Sequence, residues 1–156
     1  MNIFVVHEDP NIAATMLCDK HVVKMIVETA QMLCTTAAEL GKDDVPYRPA
    51  HKKHPCTLWT GESRENWNWL ITHGLAMCKE YTKRYGRIHK SQSVIEWCRD
   101  SGAGPKTGKL TPFRLAMPQK YKCQDPVKSY RDYYIGEKAK FAKWKTSPPS
   151  WWKISA

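Results

Sequence analysis

Between Ile12 and Leu40 the apolar residues fall on one helical stripe: Ile12, Met16, Val22, Val23, Met25, Ile26, Ala30, Leu33, Cys34, Ala37 and Leu40. Spacings of three, four and seven place a continuous band on one side of an α-helix and cannot be met by an alternating strand. Asp9-Pro10 supplies the start, with a capping carboxylate followed by a residue whose missing N–H costs nothing at the first helical position. Gly41 supplies the stop. This predicts one long amphipathic helix, bent near residue 20. Ahead of it Ile3-Phe4-Val5-Val6 reads as a short extended arm ending at His7.

The same reasoning extends along the chain. Residues 42–58 hold Pro46, Pro49 and Pro55 and no period, so they read as a loop. Trp67, Leu70, Ile71, Leu75, Cys78, Tyr81 and Tyr85 form a second stripe, predicting a helix from Glu62 to Tyr85 closed by Gly86. A short helix through Cys98 follows, then a Gly- and Pro-rich loop over 101–120, long enough to suggest a working element. Asp125-Pro126 repeats the opening signal, and Val127, Tyr130, Tyr133, Tyr134, Phe141 and Trp144 predict a third helix to Lys145, with Trp151-Trp152 as an aromatic tail. The expected fold is all-α: a single domain over 1–156, with three main helices and long loops.

Charge narrows the function. The chain of 156 residues carries 25 Lys and Arg against 15 Asp and Glu, a net +10, which favours an anionic partner and nucleic acid first. Residues 120–156 alone hold a net +6 interleaved with eight aromatic residues, the mixture on which unstacked bases pack. No apolar run reaches the ~18 residues of a membrane span, and no secretory leader opens the chain. The six cysteines are scattered singly, so free thiols in a reducing cytoplasm are expected rather than disulfides.

Three clusters could carry chemistry. Lys79, Lys83 and Arg87 recur every four residues and, with Arg84, would line up on phosphates; Trp151 and Trp152 follow a Pro-Pro stop and could meet a base. Arg48, His51, Lys52, Lys53 and His54 form a basic loop, and Lys109 sits in a Gly-rich segment that could follow a nucleic-acid backbone. Cys18-Asp19-Lys20-His21, with Lys24 and Glu28 beyond, interrupts the apolar stripe; His21, Lys24 and Glu28 share a face. A carboxylate, an imidazole and amines in that arrangement could do acid–base work or supply an amine nucleophile, or could be a solvated stripe of ion pairs. Cys18 and His21 with His51 and His54 make too loose a set for structural zinc, and no metal or other cofactor is expected.

The order of these features resembles the small phage pyrimidine-dimer DNA glycosylases of the T4 endonuclease V type. The shared pattern is a short arm, a long first helix with an acidic residue near its start, a proline-bearing loop, a second helix ending in a basic turn (Lys79 to Gly86), and a final helix running into Ser147-Pro-Pro-Ser-Trp-Trp-Lys153. The chain is similar also to phage proteins with a Cys-Asp-Lys-His block and a later Lys-Lys-His-Pro block. The resemblance implies attack on a nucleotide sugar by the N-terminal α-amine, here that of Met1, with a carboxylate placed by position at Asp19. His21, Lys24 and His54 would complete the site. It further implies strand cleavage through the same imine, and as partner double-stranded DNA with a damaged or modified pyrimidine nucleotide extruded, bound by a monomer in the host cytoplasm. A non-catalytic DNA-binding protein and an enzyme of base hypermodification are the alternatives.

Overall fold

The computed structural model describes residues 1–153. The described residues contain helices and no strands: α1 (Pro10–Met16), α2 (Asp19–Glu39), α3 (Pro55–Thr60), α4 (Arg64–Tyr85), α5 (Gln92–Asp100) and α6 (Pro126–Lys138), with one 3-10 turn at Gln119–Tyr121. The all-α expectation holds, and the boundaries differ in three places.

The first stripe is two helices, not one bent one. Leu17 and Cys18 are extended, with ψ of 143° and 163°. Such a break exposes backbone polar groups that must be paired. Here distant residues pair them: Tyr134 Oη accepts from the Cys18 N–H, Trp144 Nε1 donates to the Met16 carbonyl at 3.0 Å, and Arg84 donates to the carbonyls of Thr15 and Leu17. The loop over 42–58 ends in α3, which opens with His54 Nδ1 accepting from the Cys56 N–H and Pro55 at the first position. Six residues are too few to show a period. The third helix ends at Lys138, not Lys145, because the chain beyond is tied to the start of α2. Asp19 N–H donates to the Lys143 carbonyl at 2.7 Å, and the Lys145 N–H donates to Asp19 at 3.0 Å.

α4 is the centre of the bundle, packed on α1, α2, α3 and α5. Trp59, Trp67, Leu33, Leu70, Met77 and Ile95 fill the space between them. The Gly-rich loop runs back to the start of α4, where the carbonyls of Thr107 and Gly108 accept from Arg64 and Glu65. Gly104 has φ +94° and lies so close to the Trp67 ring that no side chain fits, so this segment serves packing. α6 closes the other side. Phe4 of the arm lies edge-on to Tyr130 and Tyr134, and Arg131 Nε donates to the Val6 carbonyl at 2.9 Å.

Two buried histidines hold this assembly together in their neutral form. His73 Nδ1 is hydrogen-bonded to the Pro10 carbonyl and its ring packs on Trp69; burial lowers its pKa to about 4. His21 is bonded to the Tyr134 hydroxyl at 2.7 Å, and burial, then Lys138, Lys24 and Lys20, lower its pKa to about 3. The unfolded chain therefore binds protons near pH 6.5 that the folded chain refuses, and stability rises with pH between the folded and unfolded values. Lowering the pH from 7 to ~4.5 is expected to remove on the order of 3 kcal/mol for each ring. Urea unfolding at the two pH values measures this, and coincident midpoints would refute it.

Candidate active site

The arm is held by its second residue. Asn2 Oδ1 accepts from the N–H groups of Ile3 and Phe4 at 2.7 and 3.0 Å, a local turn that short polar side chains favour. Asn2 Nδ2 donates to the Ala116 carbonyl at 2.8 Å, which joins the arm to the 101–120 loop. Ile3 to Val6 are buried, so the first residue is presented by core packing and is not a free end.

That packing brings the chain's first nitrogen to α2. The Met1 α-nitrogen lies 3.4 Å from Glu28 Oε1, and the Asn2 N–H donates to the same oxygen at 3.0 Å. The Glu28 side chain is 11% exposed, and its other oxygen is 3.8 Å from Lys24 Nζ. His54 stands at the rim: burial lowers its pKa first, then the α-amino group and His51, against an opposing pull from Glu28. Its imidazole is thus neutral near pH 7 and within electrostatic reach of both the amine and the carboxylate. Cys56 next to it is not a nucleophile, since burial pushes its thiol up to about 11.

An amine beside a shielded carboxylate can form and protonate an imine. The amine supplies the electron pair, and the carboxylate takes or returns protons and faces a developing positive charge.

The structure brings Met1, Lys24 and His54 together and separates the other expected residues. Asp19 is nine residues before Glu28, half a rotation around α2 and about 13 Å along its axis. Its carboxylate accepts from Arg84 at 3.1 Å and from the Lys145 N–H, so it is part of the helix junction and not of the amine's surroundings. His21 shares the face of Glu28 but lies two turns away beneath the Phe4 ring, 4.4 Å between centroids. Arg84 is not available to phosphates. Its side chain is fully buried, bonded to Glu80, Asp19 and two carbonyls. Trp151 and Trp152 are not a free tail but partly exposed parts of the packing: Trp151 Nε1 donates to Met16 Sδ, and Trp152 packs on Trp144 and Tyr134.

The basic residues divide into two groups. Arg48, His51 and Lys53 are exposed on the loop that leads to His54, and Lys52 of that loop pairs with Glu39. Lys79 and Lys83 stand on the solvent side of α4, away from its packed face, with Arg87 beyond its end donating to the Tyr81 hydroxyl. Lys109 is exposed on the loop that caps α4. Among the described residues no group of three or more metal-ligating side chains gathers, and no helix is long and apolar enough to cross a membrane.

Glu28 is the carboxylate beside the amine, and sequence reasoning gave it no role of its own. Its signal was a carboxylate on the His21–Lys24 line of a helix whose surrounding positions are apolar. That pattern does not say which carboxylate the chain's first nitrogen reaches.

A basic helical protein with a terminal amine set against a shielded carboxylate has the parts of an imine-forming enzyme. Residues 1–93 match the pyrimidine dimer DNA glycosylase family, and with more than half its length matched the chain belongs to that family. The matched segment contains the arm, α1 to α4, and Met1, Lys24, Glu28 and His54. Membership assigns a DNA-repair glycosylase activity and a DNA substrate. No curated protein and no solved structure matches the chain.

Proposed function

We propose that this protein excises the damaged pyrimidine through attack of the Met1 α-amine on C1′ of an extruded nucleotide, with Glu28 as the assisting carboxylate. The observation that carries the reading is the placement of the α-nitrogen 3.4 Å from Glu28 Oε1. Extrusion exposes the sugar to attack by that amine. The amine's electron pair forms the C1′–N bond as the electrons of the glycosidic bond leave with the pyrimidine. Opening of the sugar ring then gives an imine, with Glu28 relaying the amine's proton to the ring oxygen. The imine acidifies the C2′ proton, and its removal expels the 3′ phosphate, so strand cleavage follows from the same intermediate.

Met1 is preferred to Lys24 as the nucleophile for a chemical reason. α-Amino groups ordinarily titrate near pH 8 and lysines above 10, so far more of an α-amine is uncharged at neutral pH. Lys24 is also 63% exposed, where Met1 is held by its packed side chain. Arg48, His51 and Lys53, exposed on the loop that leads to His54, would hold phosphates.

Borohydride reduction during reaction with ultraviolet-irradiated duplex DNA is expected to trap a covalent complex whose adduct maps to the N-terminal peptide. An adduct on Lys24 would reassign the nucleophile, and no adduct on irradiated DNA would remove the imine.

A further inference from the structure

Two turns along α2 from Glu28, the N-terminal half of the helix faces α6 across an aromatic ledge. Lys20 Nζ lies 4.5 Å from the centroid of the Phe141 ring, and Lys138 Nζ lies 4.9 Å from that of Tyr133. Tyr121 packs on Tyr133 at 5.6 Å, and all three rings are partly open to solvent. Among the described residues neither Lys20 nor Lys138 is in an ion pair. His21, 4% exposed, sits beneath the ledge with Nδ1 taken by Tyr134. Lys138 Nζ lies also 6.0 Å from the Phe141 ring and 5.7 Å from the Phe4 ring, so the ammoniums of Lys20 and Lys138 converge there. The ledge lies about two turns along α2 from Glu28 and is connected to it by the arm, whose Phe4 ring packs on His21 and Tyr133, and by Lys24, one turn on from Lys20 and paired with Glu28.

Each of the two rings is partly open and carries an ammonium group over it, an arrangement that neither a closed core nor a merely solvated basic face requires. Ammoniums resting on rings at an exposed site are weakly held. A DNA phosphate binds them more strongly because counterions are released, and a base can then take the vacated ring face whatever its sequence. We propose that this ledge binds a short unpaired stretch of DNA adjoining the lesion, with a base on Tyr133 and Phe141 and a phosphate on Lys20 and Lys138. The proposal takes from the preceding reading only the position of the reacting groups at Met1 and Glu28, not their chemistry.

The test is fluorescence anisotropy of the full chain with a labelled short oligothymidylate and with an undamaged hairpin duplex of equal phosphate count, neither of which can react. Tyr133→Ala and Phe141→Ala are each expected to weaken oligothymidylate binding about tenfold and duplex binding by less than about twofold, whereas Phe141→Trp keeps both. The double variant Lys20→Gln, Lys138→Gln leaves the packed rings in place. It is expected to flatten the salt dependence for the single strand by about 0.7 per lysine. Equal losses on the two DNA forms, unchanged binding in the ring variants, or an unchanged salt slope would each overturn the ledge. Successful trapping at Met1 with a failed ledge test leaves the excision reading intact, and the converse result leaves the ledge intact.

Discussion

Glu28→Gln is expected to slow excision of a pyrimidine dimer by about 10²- to 10⁴-fold, the range for loss of a positioned proton-transfer group, with binding to the damaged duplex within about threefold of wild type. The amide keeps the shape of the side chain and can still accept the Asn2 N–H, so the arm stays in place. What it loses is the negative charge beside the α-nitrogen and the ability to move a proton. Asp19→Asn is the matched control. Its carboxylate lies on the opposite side of α2, bonded to Arg84 and the Lys145 N–H, and its loss is expected to leave turnover within about threefold while lowering stability. Single-turnover rates for the two variants decide the assignment. A slow Asp19→Asn beside a normal Glu28→Gln would reverse it.

Arg84→Met is expected to destabilise the fold by about 3–5 kcal/mol, the cost of leaving buried charges without a partner. The guanidinium is the connection between α4 and the α1–α2 break: it donates to Glu80 at 2.8 Å, Asp19 at 3.1 Å, and the carbonyls of Leu17 and Thr15 at 2.8 and 3.1 Å. Methionine fills the volume and satisfies none of these acceptors. Glu80, 6% exposed, has no access to enough water to compensate. In a domain of this size the loss corresponds to a fall in Tm on the order of 10 °C. Chemical denaturation gives the energy directly, and a loss below about 1 kcal/mol would show that water replaces the guanidinium. Lys79→Ala and Lys83→Ala, on the exposed side of the same helix, are expected to change stability by less than about 0.5 kcal/mol.

The contrast between Arg84 and its neighbours explains what a one-dimensional reading could reach. Lys83, Arg84 and Arg87 look alike in a basic turn. Arg84 alone points inward, because its partners beyond Glu80 of the same helix are Asp19 and the carbonyls of Thr15 and Leu17, which the fold brings alongside. The same holds for the tail. Trp151 and Trp152 follow a helix stop and look unengaged, yet α1, α6 and the segment after α6 offer them Met16, Tyr134 and Trp144. Six-residue α3 lay below the length at which a period can be seen, although its His-Pro start is a capping signal in retrospect.

From the order of residues alone came the helical class, the two main apolar stripes, the capped starts at Asp9-Pro10 and Asp125-Pro126, the Gly86 stop and the affinity for DNA. These depend on neighbours three or four positions apart, or on total charge, and both are local or additive properties of the chain. Tertiary structure alone decided that the α-nitrogen meets Glu28 and not Asp19, that the first helix breaks at Leu17-Cys18, and that Arg84 is buried. Each of those outcomes joins groups from segments far apart in sequence. Burial removes the water that would otherwise satisfy their charges and backbone polar groups, so the partners are chosen by packing and not by spacing.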